Sequence, residues 1–196
     1  MPPEMRAFEY ALGLFSVLVG LAIADIATSF HRLTRGGRAV RWDPLAILAA
    51  LYALLTAIGM WFDLWGVRNV SGARHFFFYL LMIVELFLVF LIAAASLPDD
   101  LQSGSDLREY YALNRRYFWG LIALFQVGYI LLGLYFVGGL LSRSPIYYTI
   151  AFAAQMTVLL VTPVVLAVSK NRALHYAGLA LLFATQAWHY APYSIN

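Results

Sequence analysis

Two carboxylates sit where the sequence carries almost no other charge. Asp25 is the only charged residue between Tyr10 and Phe30, and Glu85 the only one between Phe76 and Leu97. A helix that rises about 1.5 Å per residue needs roughly 20 apolar residues to cross about 30 Å of hydrocarbon. A carboxylate near the middle of such a helix costs about 2.5 to 3.5 kcal/mol on insertion scales, so each reads first as a site for a proton or an ion. Asp25 shares its helical face with Leu21, Thr28, Ser29 and Arg32, which puts hydroxyls and an arginine beside it. Glu85 has only Leu81, Met82, Leu88 and Val89 at helical spacing, so it needs a proton or a partner from another helix.

Gln126, Gln155 and Gln186 fall at similar depth in later apolar runs and are the candidate partners. Two of them lie on regular stripes, Trp119-Ile122-Gln126-Tyr129-Gly133 and His175-Leu182-Gln186-His189. If all turn inward, Asp25, Glu85, Gln126, Gln155 and Gln186 make a polar layer through which a proton, an ion or a small solute could pass. The plainer reading is a satisfied hydrogen-bond network, with a protonated Glu85 held by glutamine amides, that only fixes helix order.

The histidines allow a redox alternative. His175 and His189 are fourteen residues apart, on nearly one helical face and about 21 Å separated, a spacing that could hold two b-type haems, with His31 and His75 as opposing ligands. Interfacial rings are the more ordinary use of histidines at span ends. Glu9, Asp63, His75 and His189 fall near one surface as an outer polar cluster, yet no short spacing such as His-x-x-x-His pairs any two as metal ligands, and no metal site is predicted. There is no cysteine, which excludes disulfides, thiolate metal sites and cysteine nucleophiles. With no nucleotide-binding glycine loop, nucleophile elbow or zincin motif, no catalytic residue can be named and the reading leans away from an enzyme.

The elements that must position these groups follow from composition. The chain is 63% hydrophobic and 12% charged, against about 45 to 50% and 25% in soluble domains. It reads as an all-α integral membrane protein, one domain over residues 1–196, with six transmembrane helices at about 9–33, 44–66, 75–97, 117–138, 145–168 and 173–191. Asp43-Pro44 and Pro145 read as helix starts, and Asp106 with Glu109 as a capping box that opens a helical extension over about 106–116, projecting from the membrane into helix 4.

The net charge of +3 is explained by topology and anionic lipid rather than by nucleic acid. Arg32, Arg35, Arg38, Arg41, Arg108, Arg115, Arg116, Lys170 and Arg172 fall on one side, against Arg6, Arg68, Arg74 and Arg143 on the other. The positive-inside rule then places the first group in the cytoplasm and both termini outside. Arg6 is offset by Glu4 and Glu9, so the first span reads as an anchor rather than a cleaved leader. Tyr10-x-x-Gly13-Leu14 and Tyr117-x-x-Gly120-Leu121, with a proline opening each middle helix, carry the weak signature of a 3+3 inverted repeat. Gly13, Ser16, Gly20, Ala24 and Ala27 make a small-residue face, suited to close packing inside the protein or against a membrane partner or second copy.

Gly20-Leu21-Ala22-x-x-Asp25, Ser29-x-His31-Arg32-Leu33, the tryptophan-rich end of helix 2 and Asn114-Arg115-Arg116-Tyr117-Phe118 resemble a group of small multi-pass bacterial inner-membrane proteins. The resemblance implies the fold and that membrane, and no chemistry. The functional expectation is translocation of protons, ions or a small solute. A non-catalytic subunit that docks a partner, and a b-type haem electron carrier, follow in that order.

Overall fold

The computed structural model describes residues 3–35, 40–67, 76–99, 106–141 and 146–191. They form six α-helices: α1 Pro3–Arg35, α2 Pro44–Val67, α3 Phe76–Ser96, α4 Leu107–Leu141, α5 Ile146–Val168 and α6 Arg172–Tyr190. Among the described residues there is no β-strand, only a single bridge between Arg41 and Asp106.

Five helices carry stretches long and apolar enough to cross a membrane: Ala11–Arg35, Pro44–Leu64, Phe77–Ser96, Leu107–Leu134 and Thr149–Val168. The expected sixth span does not join them. α6 has 19 residues, but His175, Tyr176, Gln186 and His189 lower its hydropathy, and of these His175 is buried and Gln186 and His189 half-buried.

Each helix has a narrow buried stripe. Phe15, Val19, Ala22, Ile26, Ser29 and Leu33 recur at three- and four-residue spacing on α1 and are all buried, while Leu14, Val17 and Leu21 between them are exposed. α1, α2 and α3 pack on one another, α4 joins α3 to α5, and α6 lies between α5 and α2. The first and second halves differ in this respect: α1 packs closely on α3, while α4 and α6 meet mainly through long side chains, so helix packing gives the 3+3 repeat no support. Tyr52 and Trp119 are the largest side chains fully buried at the centre, with ring centroids 6.2 Å apart.

Polar ties at one end show that successive helices run antiparallel. Arg32 Nη1 donates to the Asp99 carbonyl and Ser29 Oγ to Asp99 Oδ1, joining the end of α1 to the end of α3. Arg41 pairs with Asp106 at 3.2 Å, and Leu107 N donates to the Arg41 carbonyl, joining the start of α2 to the start of α4. Asp106 also caps α4 as its sequence suggests, accepting from Arg108 N and Glu109 N. α4 is unbroken through the expected extension, but that segment does not project freely. Leu107 and Tyr111 are buried, and the Tyr110 hydroxyl donates to the carbonyls of Ala95 and Leu97.

Asp43 stands at the cap position of α2, its carbonyl accepting from Ile47 N, but its side chain reaches another helix. Its buried carboxylate receives Arg172 Nη2 at 2.5 Å, which fastens the start of α6 to the start of α2, while Asn171 caps α6. Arg172→Ala strands a carboxylate whose side chain is only 5% exposed, and should cost about 2 to 3 kcal/mol. Arg41→Ala removes a guanidinium that is 81% exposed and should cost less than about 1 kcal/mol. Denaturant unfolding in detergent micelles measures both, and equal losses would refute this ranking.

Candidate functional site

The stripes on α4 and α6 meet α2 and α5 around one cavity. Gln126, Gln155 and Gln186 line it together with Thr56, Asp63, Tyr129, Thr185 and His189, against an apolar wall that includes Met60, Phe125 and Leu159. Its free volume of about 40 Å³ exceeds the roughly 10 to 15 Å³ that one water requires, so it suits a few waters or one small ion. It runs from mid-bundle, at Thr56 and Gln126, to the end opposite the arginines, at Asp63 and His189.

The hydrogen bonds assign roles within it. Gln155 Nε2 lies 3.4 Å from His189 Nδ1, and since an amide nitrogen can only donate, Nδ1 accepts. Nε2 lies 3.5 Å from Asp63 Oδ1 and 3.3 Å from the Tyr129 hydroxyl. Tyr190 donates its hydroxyl to Asp63 Oδ2 at 2.9 Å. Deeper in, Gln186 Nε2 donates to Thr56 Oγ1 at 3.2 Å, and Thr56 donates to the Tyr52 carbonyl. Gln186 Oε1 is buried without a partner. α5 adds an acceptor through Pro163, which has no N–H to offer the carbonyl of Leu159 in the cavity wall.

Tyr52 is the floor. Its hydroxyl is buried near Thr56 and Gln126 without a hydrogen bond of good geometry. Beyond it, Trp119, Ile122 and Leu182 are fully buried and close the bundle. On the far side of this seal a second network begins. Trp119 Nε1 donates to the Tyr111 hydroxyl at 2.9 Å, Tyr111 donates to His175 Nδ1 at 2.6 Å, and His175 Nε2 donates to the Ser169 carbonyl at 3.1 Å. Arg115 Nε also donates to that carbonyl. A ring nitrogen facing a carbonyl must carry hydrogen, so the direction of the whole chain is fixed.

Asp25 and Glu85 are not among the residues lining the cavity. Asp25 sits at the arginine-rich end, within electrostatic reach of Asp99 and Arg32, with Oδ2 buried and unpaired. Glu85, 1% exposed, packs against the backbone of Gly128 on another face of α4, and a Cβ built on that glycine would collide with Glu85 Oε1. Oε2 has no hydrogen-bond partner. The five residues expected in one layer therefore occupy three places.

The other candidates separate as well. Asp63 and His189 meet, but the Glu9 side chain and His75 lie outside the described residues. Both ring nitrogens of His175 are engaged, and His31 is exposed on α1, which packs on α2 and α3 rather than facing His175. Among the described residues no three of His, Cys, Asp and Glu gather as a metal site. Sequence reading missed Thr56, Tyr129 and Tyr190 as site residues, although Tyr129 stands on the same stripe as Gln126.

No protein family matches the chain, and no characterised relative or solved structure similar to it was found.

The Glu85 and Gly128 contact predicts a coupled pair. Gly128→Ala should cost about 1 to 3 kcal/mol through overpacking. In a Glu85→Ala background the same change should cost less than about 0.5 kcal/mol, because the colliding carboxyl is gone. A double-mutant cycle in denaturant measures the coupling, and additive losses would show that the two do not touch.

Proposed function

We propose that this chain is a multi-pass protein of a bacterial inner membrane that passes protons, ions or a small polar solute, and that the α2, α4, α5 and α6 cavity is its mouth. One observation carries the reading: a polar cavity extends from Asp63 and His189 near one end to Thr56 and Gln126 at mid-bundle, and Tyr52, Trp119, Ile122 and Leu182 beyond it are fully buried. A site open on one side and closed on the other is one of the two states that alternating access requires.

Insertion in a membrane is supported by the inverted distribution of polarity. Glu85, Gln126, His175, Ser29 and Thr56 are buried, while Val17, Phe77, Phe87, Val168 and Trp188 are each more than half exposed. The positively charged end carries nine of the thirteen basic residues and is assigned to the cytoplasm, which directs the mouth and both termini outward. α6 is then a sixth span whose polar residues are sheltered by α2, α4 and α5.

Continuous proton conduction through the static structure is disfavoured by the seal. An indole N–H donates but has no lone pair to receive a proton, so a relay passing Tyr52 would end at Trp119. A rearrangement of the seal, rather than a standing wire, is the step that would complete transport.

The sequence has no cysteine, so single cysteines report accessibility on a clean background. In sealed vesicles Gln126→Cys should react with a membrane-impermeant thiol reagent from the side opposite the arginines, and not from the arginine side. Proteoliposome flux of small cations and neutral polar solutes should fall about tenfold in Gln126→Leu, the equivalent of one lost hydrogen bond to the solute. Labelling from the wrong side, or none, would sink the proposal.

A second reading, docking of another membrane helix or a second copy, rests on α1. Gly13, Gly20, Ala24 and Ala27 are exposed, and a Cβ on Gly13 or Gly20 would meet nothing within 4 Å. Gly13→Leu with Gly20→Leu should abolish cross-linked dimers if this face joins two copies. Unchanged dimer yield would remove that surface from consideration.

A further inference from the structure

We infer that the solute of this cavity is a small neutral molecule with a hydrogen-bond donor beside an acceptor, of the urea or simple amide class. The inference rests on the reading of the cavity as a transport site and narrows its substrate class. It comes from the inner end, where four uncharged side chains gather. Gln186 Nε2 donates to Thr56 Oγ1 at 3.2 Å, Thr56 donates to the Tyr52 carbonyl, and the Tyr52 hydroxyl lies beside Thr56 and Gln126. Tyr52 is fully buried, Thr56 and Gln126 are nearly so, and Gln186 is half-buried.

Matching donors with acceptors among these groups leaves two atoms over. Gln186 Oε1 and the Tyr52 hydroxyl are both buried without partners. Thr56 adjoins both and can donate to neither, because its one hydrogen goes to the Tyr52 carbonyl. An amide oxygen only accepts, so Gln186 needs a donor from whatever enters. Tyr52 needs an acceptor for its hydroxyl hydrogen. The two demands come from facing helices, α6 and α2, and their shared neighbour Thr56 puts both within reach of one small molecule.

This pair sorts solutes by type. A metal cation can rest on the Gln186 oxygen but offers nothing to the Tyr52 hydrogen, and an ammonium ion, all donor, strands the same hydrogen. A halide takes that hydrogen and leaves the Gln186 oxygen without a donor. Each misfit leaves a buried group unpaired, at a cost of about 1 to 3 kcal/mol. Urea, with N–H groups beside a carbonyl, satisfies both. The free volume of about 40 Å³ exceeds the roughly 10 to 15 Å³ needed by one water, which suits a molecule of about four heavy atoms better than a single water.

The full chain in sealed proteoliposomes tests this, with urea, potassium, chloride and water as probes and protein-free liposomes as the control. Urea influx should exceed the control at least about tenfold, while potassium and chloride fluxes match it. Tyr52→Phe and Gln186→Leu should each lower urea influx about tenfold, the equivalent of one lost hydrogen bond. Because the Tyr52 hydroxyl has no partner in the protein, Tyr52→Phe should lose flux without lowering the denaturant midpoint. Urea influx indifferent to Tyr52→Phe, or a lost midpoint in that variant, would overturn the assignment. Potassium or chloride carried in place of urea, or water alone, would overturn the solute class and leave the transport reading standing. If no probe moves, thiol labelling of Gln126→Cys separates two failures. A labelled cysteine refutes only the neutral solute, whereas an unreactive one refutes the open cavity and the solute with it.

Discussion

Buried polar groups in this bundle can be satisfied only by one another, and that constraint sets the register of α4 against α6. Leaving a buried donor or acceptor unpaired costs about 1 to 3 kcal/mol. Trp119, Tyr111, His175 and the Ser169 carbonyl escape the cost by forming one directed chain, in which each donor finds an acceptor and each ring nitrogen has a single role. Sliding α6 by one turn, about 5.4 Å, would break the Tyr111 and His175 bond, the link of this chain that crosses from α4 to α6. The Asp43 and Arg172 pair fixes the same end of α6 to α2. With that end immobilised by charge and hydrogen bonds, the opposite end is where α2, α4, α5 and α6 can part around a cavity.

The two halves of the central stripe differ in how well they are satisfied, and the difference bears on motion. Below the seal the chain from Trp119 to Ser169 is closed, although Asp25 Oδ2 and Asp43 Oδ2 at that end are buried without partners. Above it, the Tyr52 hydroxyl and Gln186 Oε1 are buried without partners. A conformation that admits a polar solute to this layer recovers part of that cost, whereas the same solute among Trp119, Tyr111 and His175 would have to displace bonds already made.

Much of this was legible in the sequence because it rests on periodicity. The apolar runs gave the helices to within a few residues, apart from α1, which begins at Pro3 rather than near residue 9. Trp119, Ile122, Gln126 and Tyr129 stand on one face of α4 because 3.6 residues per turn requires it. What periodicity could not supply was which neighbour each face meets. Glu85 has the depth of Gln126 but faces a different side of α4, at Gly128, two residues and about 200° away. Asp43 before Pro44 has the form of a cap, and only the arrival of Arg172 from 129 residues away shows where its carboxylate goes. The small-residue face of α1 was equally readable as internal, and its exposure is a property of the packing alone.

The Glu85 and Gly128 contact carries one more consequence. A carboxyl group pressed against helix backbone, with one oxygen unpaired and leucine, methionine and valine on its own helix, has no counter-charge to keep it ionised. The glycine provides the room for it. That places Glu85 outside the route for a solute and makes it a contact between α3 and α4, the helix that carries the cavity stripe. Movement of α4 along its axis would have to carry Gly128 past this group or take Glu85 with it. A residue whose position in the sequence suggests the centre of a relay is, by its packing, a contact between α3 and α4.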